Sequence, residues 1–163
     1  MTDEAKNRQL CMGLYVFYAV SALLQFGTTE LALLGALIMT IIVMIAQSKR
    51  KTAGGTPFES HFRWIIRTFW IGTGAFLPLV FLLALGGILI FTDWAALSRA
   101  LSSGEPQALL EAVNDYMKNN EMKLLLITFG SMLPLAVWWV NRCWIGFKRA
   151  RGLVPIENPK TWA

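Results

Sequence analysis

The chain has 163 residues, 55% of them apolar and only 15% charged, against about 25% charged in an ordinary soluble domain. The net charge is +5, but no aromatic-basic nucleic-acid motif accompanies it, so a nucleic-acid partner is not expected. One histidine and two cysteines exclude most metal centres and nucleophilic triads. No glycine-rich phosphate loop is present, so neither cofactor nor catalytic residue is expected.

Four segments are apolar and free of Asp, Glu, Lys and Arg: Leu10–Gly27, Leu31–Gln47, Phe69–Phe91 and Leu124–Asn141. A bilayer core needs about 20 such residues as helix, which predicts a single integral membrane domain over 1–163 with spans 10–27, 31–47, 69–91 and 124–141. The flank before the first segment mixes Asp3 and Glu4 with Lys6 and Arg8, and no small-x-small cleavage site follows. A retained span is therefore expected rather than a signal peptide. Cys11 and Cys143 sit at span ends on one side, where small buried hydrophobes are expected rather than a disulfide.

Phe26-Gly-Thr-Thr-Glu30 forces the first two spans into a hairpin, with Gly27 as a left-handed stop and Thr28 or Thr29 as the next cap. After Gln47-Ser-Lys-Arg-Lys51 comes the one clear linker, Thr52-Ala-Gly-Gly-Thr-Pro57. From Phe58 the helical period returns. Phe58, Phe62, Ile65 and Phe69 share one stripe, and Glu59, Arg63 and Arg67 share another, with Glu59 well placed to pair with Arg63. The run from Phe58 to Phe91 is too long to cross upright. An interfacial collar helix bending into the third span is expected, with Gly72, Gly74 and Pro78 as places for the bend.

The external segment 92–123 predicts two short helices draped on the outer interface, the first capped by Asp93 and carrying Trp94, Leu97 and Leu101. Gly104 stops it and Pro106 starts the second, which carries Leu109, Val113, Tyr116 and Met117. Asn119-Asn120 is expected to break that helix before the last span. Gly130 and Pro134 predict a kink there, and Trp138, Trp139 and Trp144 an aromatic belt. Glycines along spans two to four permit close helix contact.

Twelve bases fall on one side, at the amino terminus, in the second-to-third loop with its collar, and in the carboxyl end from Arg142 to Lys160. The other side holds only Arg99, Lys118 and Lys123, with six acids. The positive-inside rule predicts both termini in the cytoplasm, and anionic phospholipid at that face as a partner.

Glu59-Ser-His-Phe-Arg-Trp, followed after two residues by Arg67-Thr-Phe-Trp70 and entering a span, resembles a family of small bacterial membrane proteins of unknown function. That family is grouped with Tic20-like proteins of plastid protein import and with magnetosome membrane proteins. Asn141-Arg142 and the tail Gly152-Leu-Val-Pro-Ile-Glu-Asn-Pro159 are similar to the family's ending. The resemblance implies a multi-pass fold in the bacterial inner membrane. Members share three spans and a brief external loop, which segment 92–123 exceeds.

The overall expectation is an all-α, polytopic membrane protein, a four-transmembrane-helix bundle with an amphipathic interfacial collar helix before the third span. Its candidate lipid- or partner-binding residues are Glu59, His61, Arg63, Trp64, Arg67, Trp70, Asn141 and Arg142. Arg63 and Arg67 would meet lipid phosphates, Trp64 and Trp70 would anchor the interface, and Asn141 would bond across helices. His61 is expected to be exposed. No ionisable group lies within a span, so a non-enzymatic subunit, scaffold or assembly factor, associating with itself or other membrane proteins, is the leading expectation. A small transporter or channel component for a solute or lipid is the alternative, and a lipid-modifying enzyme acting through His61 is a lesser one.

Overall fold

A computed structural model describes residues 3–158; Lys160 and Pro159, invoked above, lie outside the described residues. Every element is helical: α1 (Asp3–Leu24), α2 (Thr29–Thr52), α3 (Pro57–Ile71), a π-helical turn (Gly72–Phe76), α4 (Leu77–Phe91), α5 (Trp94–Ser102) and α6 (Pro106–Arg151). Three stretches are long and apolar enough to cross a membrane: Thr29–Thr52, Pro57–Phe91 and Pro106–Arg151. α1 is not among them; its first two turns carry Asp3, Glu4, Lys6, Asn7, Arg8 and Gln9, and Tyr15, Tyr18 and Ser21 dilute the apolar run that follows.

Packing divides the chain into two compact units, residues up to Leu77 with those from Pro134 on, and Pro78–Leu133. In the first, α1 packs on α2 and α3, and α2 on α3. Small residues set the closest approaches. A Cβ at Gly35 would stand 2.7 Å from the Ser21 carbonyl oxygen, and one at Gly146 or Gly72 would overlap the Tyr15 or Trp139 ring. Cys11, Cys143, Ala22, Ala46 and Ala150 fill the remaining core, and both cysteines are free thiols, as their surroundings require.

Thr28 caps α2, its hydroxyl accepting from the Leu31 amide at 3.5 Å. Gly27 does not take the left-handed conformation expected of it; the left-handed glycines are Gly55 (φ 79°) and Gly104 (φ 69°). Gly27 is instead required by proximity, since a Cβ there would lie 2.7 Å from Leu31. Pro57 occupies the first turn of α3, where its missing N–H costs nothing. The expected stripe Phe58, Phe62 and Ile65 is buried, while Phe69 is half-buried. That stripe packs against other helices of the chain rather than against lipid.

Where a bend is expected, Gly72–Phe76 forms the π-helical turn, in which the Leu77 amide reaches back to the Gly72 carbonyl. It immediately precedes Pro78, whose ring displaces the i−4 carbonyl of a regular helix. α6 passes through Pro134 without a break.

In the second unit α5 begins behind the expected Asp93 cap, its carboxylate accepting from the Ala95 amide at 3.0 Å. The Leu97 side chain lies outside the described residues. Gly104 and Pro106 act as expected, but Asn119-Asn120 does not end the following helix. Asn120 turns its amide back to the Tyr116 carbonyl at 3.0 Å, and asparagine's helix penalty of about 0.7 kcal/mol is small beside an apolar run on its carboxyl side. Residues 106–123 therefore belong to the same continuous helix as the last apolar run. Tyr116 donates to the Ile88 carbonyl at 3.2 Å, Gly87 abuts Ile127, and Lys123 stands 5.2 Å from the Phe91 ring centroid, tying α6 to α4.

Candidate functional site: a buried arginine–histidine cluster and its tail

The most polar part of the first unit is inside it. The Arg142 side chain, on α6, is 1% exposed. Its guanidinium carbon lies 3.5 Å from the Trp64 ring centroid and 5.0 Å from that of Trp138. Its Nε donates to Thr68 Oγ1 at 3.0 Å, and the Trp64 indole donates to the Arg142 carbonyl at 3.2 Å. A planar, weakly hydrated cation stacked on indole is the form of positive charge a dry helix interface tolerates best.

One turn before Trp64 on α3, His61 is fully buried. Its Nε2 lies 3.0 Å from the Val154 carbonyl, which can only accept, so this nitrogen carries a proton. In the neutral ring Nδ1 then accepts from the Tyr15 hydroxyl of α1 at 3.1 Å. α6 ends in a paired 6→1 and 5→2 turn, with the Val154 amide on the Arg149 carbonyl and the Leu153 amide on the Ala150 carbonyl. Leu153 takes the left-handed conformation (φ 56°), although Gly152 stands beside it. The turn sends the tail back over the start of α3, where the Ile156 amide donates to Ser60 Oγ at 2.9 Å and the Ile156 side chain is buried. Arg149 completes the clasp by donating to the Pro155 carbonyl at 3.2 Å.

The candidate residues thus divide. His61, Trp64 and Arg142 are brought together in the interior, at 0%, 2% and 1% exposure, which corrects the expectation of an exposed histidine. The physical reason is a π-rich interior that pairs with both ring and guanidinium. Glu59 and Arg63 form the expected i,i+4 ion pair on the outside, the Glu59 carboxylate also accepting from the Gly55 amide at 3.2 Å. Arg67 is half-buried, Trp70 and Asn141 are exposed. The cross-helix bonds expected of Asn141 are made by its neighbour Arg142 with Thr68 and Trp64. Of the expected aromatic belt, Trp139 is buried against Gly72, while Trp144 stays outside, stacked on Phe147.

Tyr15 and Tyr18 belong to the cluster without having been singled out, and Ser60, Thr68 and the tail 154–157, noted above only within the motifs, join it. Cys11, Tyr15, Tyr18 and Ala22, at i, i+4, i+7 and i+11, carried the signal for α1. The gap enclosed by Tyr15, Tyr18, Trp64, Ile65, Thr68 and Cys143 has no room for a water molecule. The arrangement ties three helices and the tail together. Among the described residues no group of three or more His, Cys, Asp or Glu side chains could hold a metal ion. Comparison of the chain with family models, curated proteins and solved structures gives no match.

Proposed function

We propose that the chain is a multi-pass protein of the bacterial inner membrane, with four spans and both termini in the cytoplasm, and that it serves as a non-enzymatic subunit, scaffold or assembly factor of a membrane complex. The motif resemblance to the Tic20-like group and the one-sided distribution of bases support the location and orientation. α1 supports the fourth span by its outer face, where Val16, Phe17, Val20 and Leu23 are exposed with Phe17 at 63%. Such a face is stable only against lipid or another protein. The α3 helix, with Arg63 and Trp70 outward, acts as the interfacial collar toward anionic phospholipid.

The observation that carries the assembly reading is a division among the glycines. Gly35, Gly72, Gly87 and Gly146 are consumed by contacts within the chain, whereas a Cβ at Gly74, Gly86 or Gly130 would meet nothing. Glycines open on apolar helices provide the flat surfaces on which a second membrane helix packs closely. Photo-crosslinking in native membranes from positions 86 and 130 tests this. The expected product is a discrete adduct with a second copy or a stoichiometric membrane partner, abolished by Gly130→Leu; a chain that remains uncrosslinked and monomeric in mild detergent contradicts it.

The alternative, a small transporter or channel component, draws on the π-helical turn at Gly72–Phe76 followed by Pro78, since such turns recur at functional breaks in helices. Solute flux into vesicles reconstituted with the purified chain, absent from empty vesicles, would favour it.

A further inference from the structure

On the outside of the first unit α1 and α6 leave a groove of about 160 Å³. Its floor is Tyr15 and Cys143, both buried, and its walls are Val16, Val140, Trp144 and Phe147. Almost no polar atom lines it. The two helices run in opposite directions here, so the amino-terminal turns of α1 and the last turns of α6 share one end of the groove.

Register makes that end basic. Stepping by four from Val16 passes Met12 and reaches Arg8; stepping by four from Val140 passes Trp144 and reaches Lys148, with Arg151 one turn farther. Lys148 Nζ stands 5.0 Å from the Trp144 ring centroid, directly at the groove's lip. The acid on the same α1 stripe, Glu4, lies one turn beyond Arg8. Asp3 is paired with Lys6 at 3.5 Å.

We propose that this groove seats one acyl chain of an acidic phospholipid, its phosphate held by Arg8, Lys148 and Arg151. An apolar trough inside a membrane cannot stay empty, because its lining would forgo its dispersion contacts. It is too small for a partner helix, whose axis would have to approach within about 8–10 Å along several turns. The trough takes a stretch of an acyl chain rather than its whole length, and three cations at one end select a headgroup with negative charge. The inference rests on the chain being embedded in a membrane and is independent of its assembly.

The test is native mass spectrometry of the full chain released from bilayers of equal phosphatidylglycerol and phosphatidylcholine. One retained phosphatidylglycerol per chain is expected. Arg8→Gln, Lys148→Gln and Arg151→Gln should each lower the phosphatidylglycerol-to-phosphatidylcholine ratio about fivefold, the effect of one surface cation. Ala19 also lines the trough, and Ala19→Phe, which fills it, should remove the adduct. Charge variants that keep the wild-type ratio overturn the proposal, as does a filled variant that melts like wild type and still carries lipid. If Ala19→Phe does not fold, the charge variants decide. The same spectra report subunit number: a monomer carrying the lipid contradicts the assembly reading alone, and an oligomer without it contradicts the lipid site alone.

Discussion

Arg142 shows how a charge can serve an apolar helix bundle by being hidden. Its stacking on Trp64 and its bond to Thr68 both depend on the planar guanidinium, which an ammonium cannot reproduce. Arg142→Lys should therefore cost about 1–2 kcal/mol of stability, whereas Arg63→Gln, which removes an exposed ion pair, should stay within about 0.5 kcal/mol. Thermal unfolding of the purified chain in one detergent checks both. Tyr15 and Tyr18 give a second contrast. Tyr15→Phe removes the partner of His61 Nδ1 and should cost about 0.6 kcal/mol or more. The Tyr18 hydroxyl is buried beside the Trp139 indole, outside good hydrogen-bond geometry, so Tyr18→Phe should cost less than Tyr15→Phe. These roles were partly legible in the sequence. The Phe58–Phe62–Ile65 stripe and the Glu59–Arg63 pair follow from helical spacing alone. That His61 and Arg142 turn inward does not, because spacing fixes which residues share a face but not which neighbour that face meets.

The helices themselves were read closely where breakers and caps act locally: Thr28, Gly55–Pro57, Asp93, Gly104 and Pro106 all mark real ends. Asn119-Asn120 misled because a weak local preference is outweighed by continuous helix on both sides. The folded-back tail was illegible because its bonds to Ser60 and His61 span more than ninety residues. Close packing at this scale is brittle where a ring occupies the place of a side chain. Gly146→Val would drive α6 off Tyr15 and should cost about 1–3 kcal/mol. Gly130→Ala, in open space inside α6, should cause no comparable loss, since alanine favours helix over glycine. Equal losses in the two variants would mean that the α1–α6 contact is not the close one described.

For the whole molecule, three helices are long and apolar enough to cross a membrane, and α1 adds an apolar outer face despite its polar interior stripe. The proposed four-span reading joins these observations, and within the first unit the arginine and the histidine turn inward. The direct test is labelling of single cysteines by a membrane-impermeant maleimide in intact cells and after lysis, in a chain whose two native cysteines are replaced by alanine. Positions 3, 48 and 107 sample the amino terminus, the end of α2 and the start of α6, and Ser48 and Gln107 are exposed. Cysteine at 107 should react in intact cells, and cysteines at 3 and 48 only after lysis. Reaction of 48 and 107 from the same side, or of 3 and 48 from opposite sides, would contradict the account.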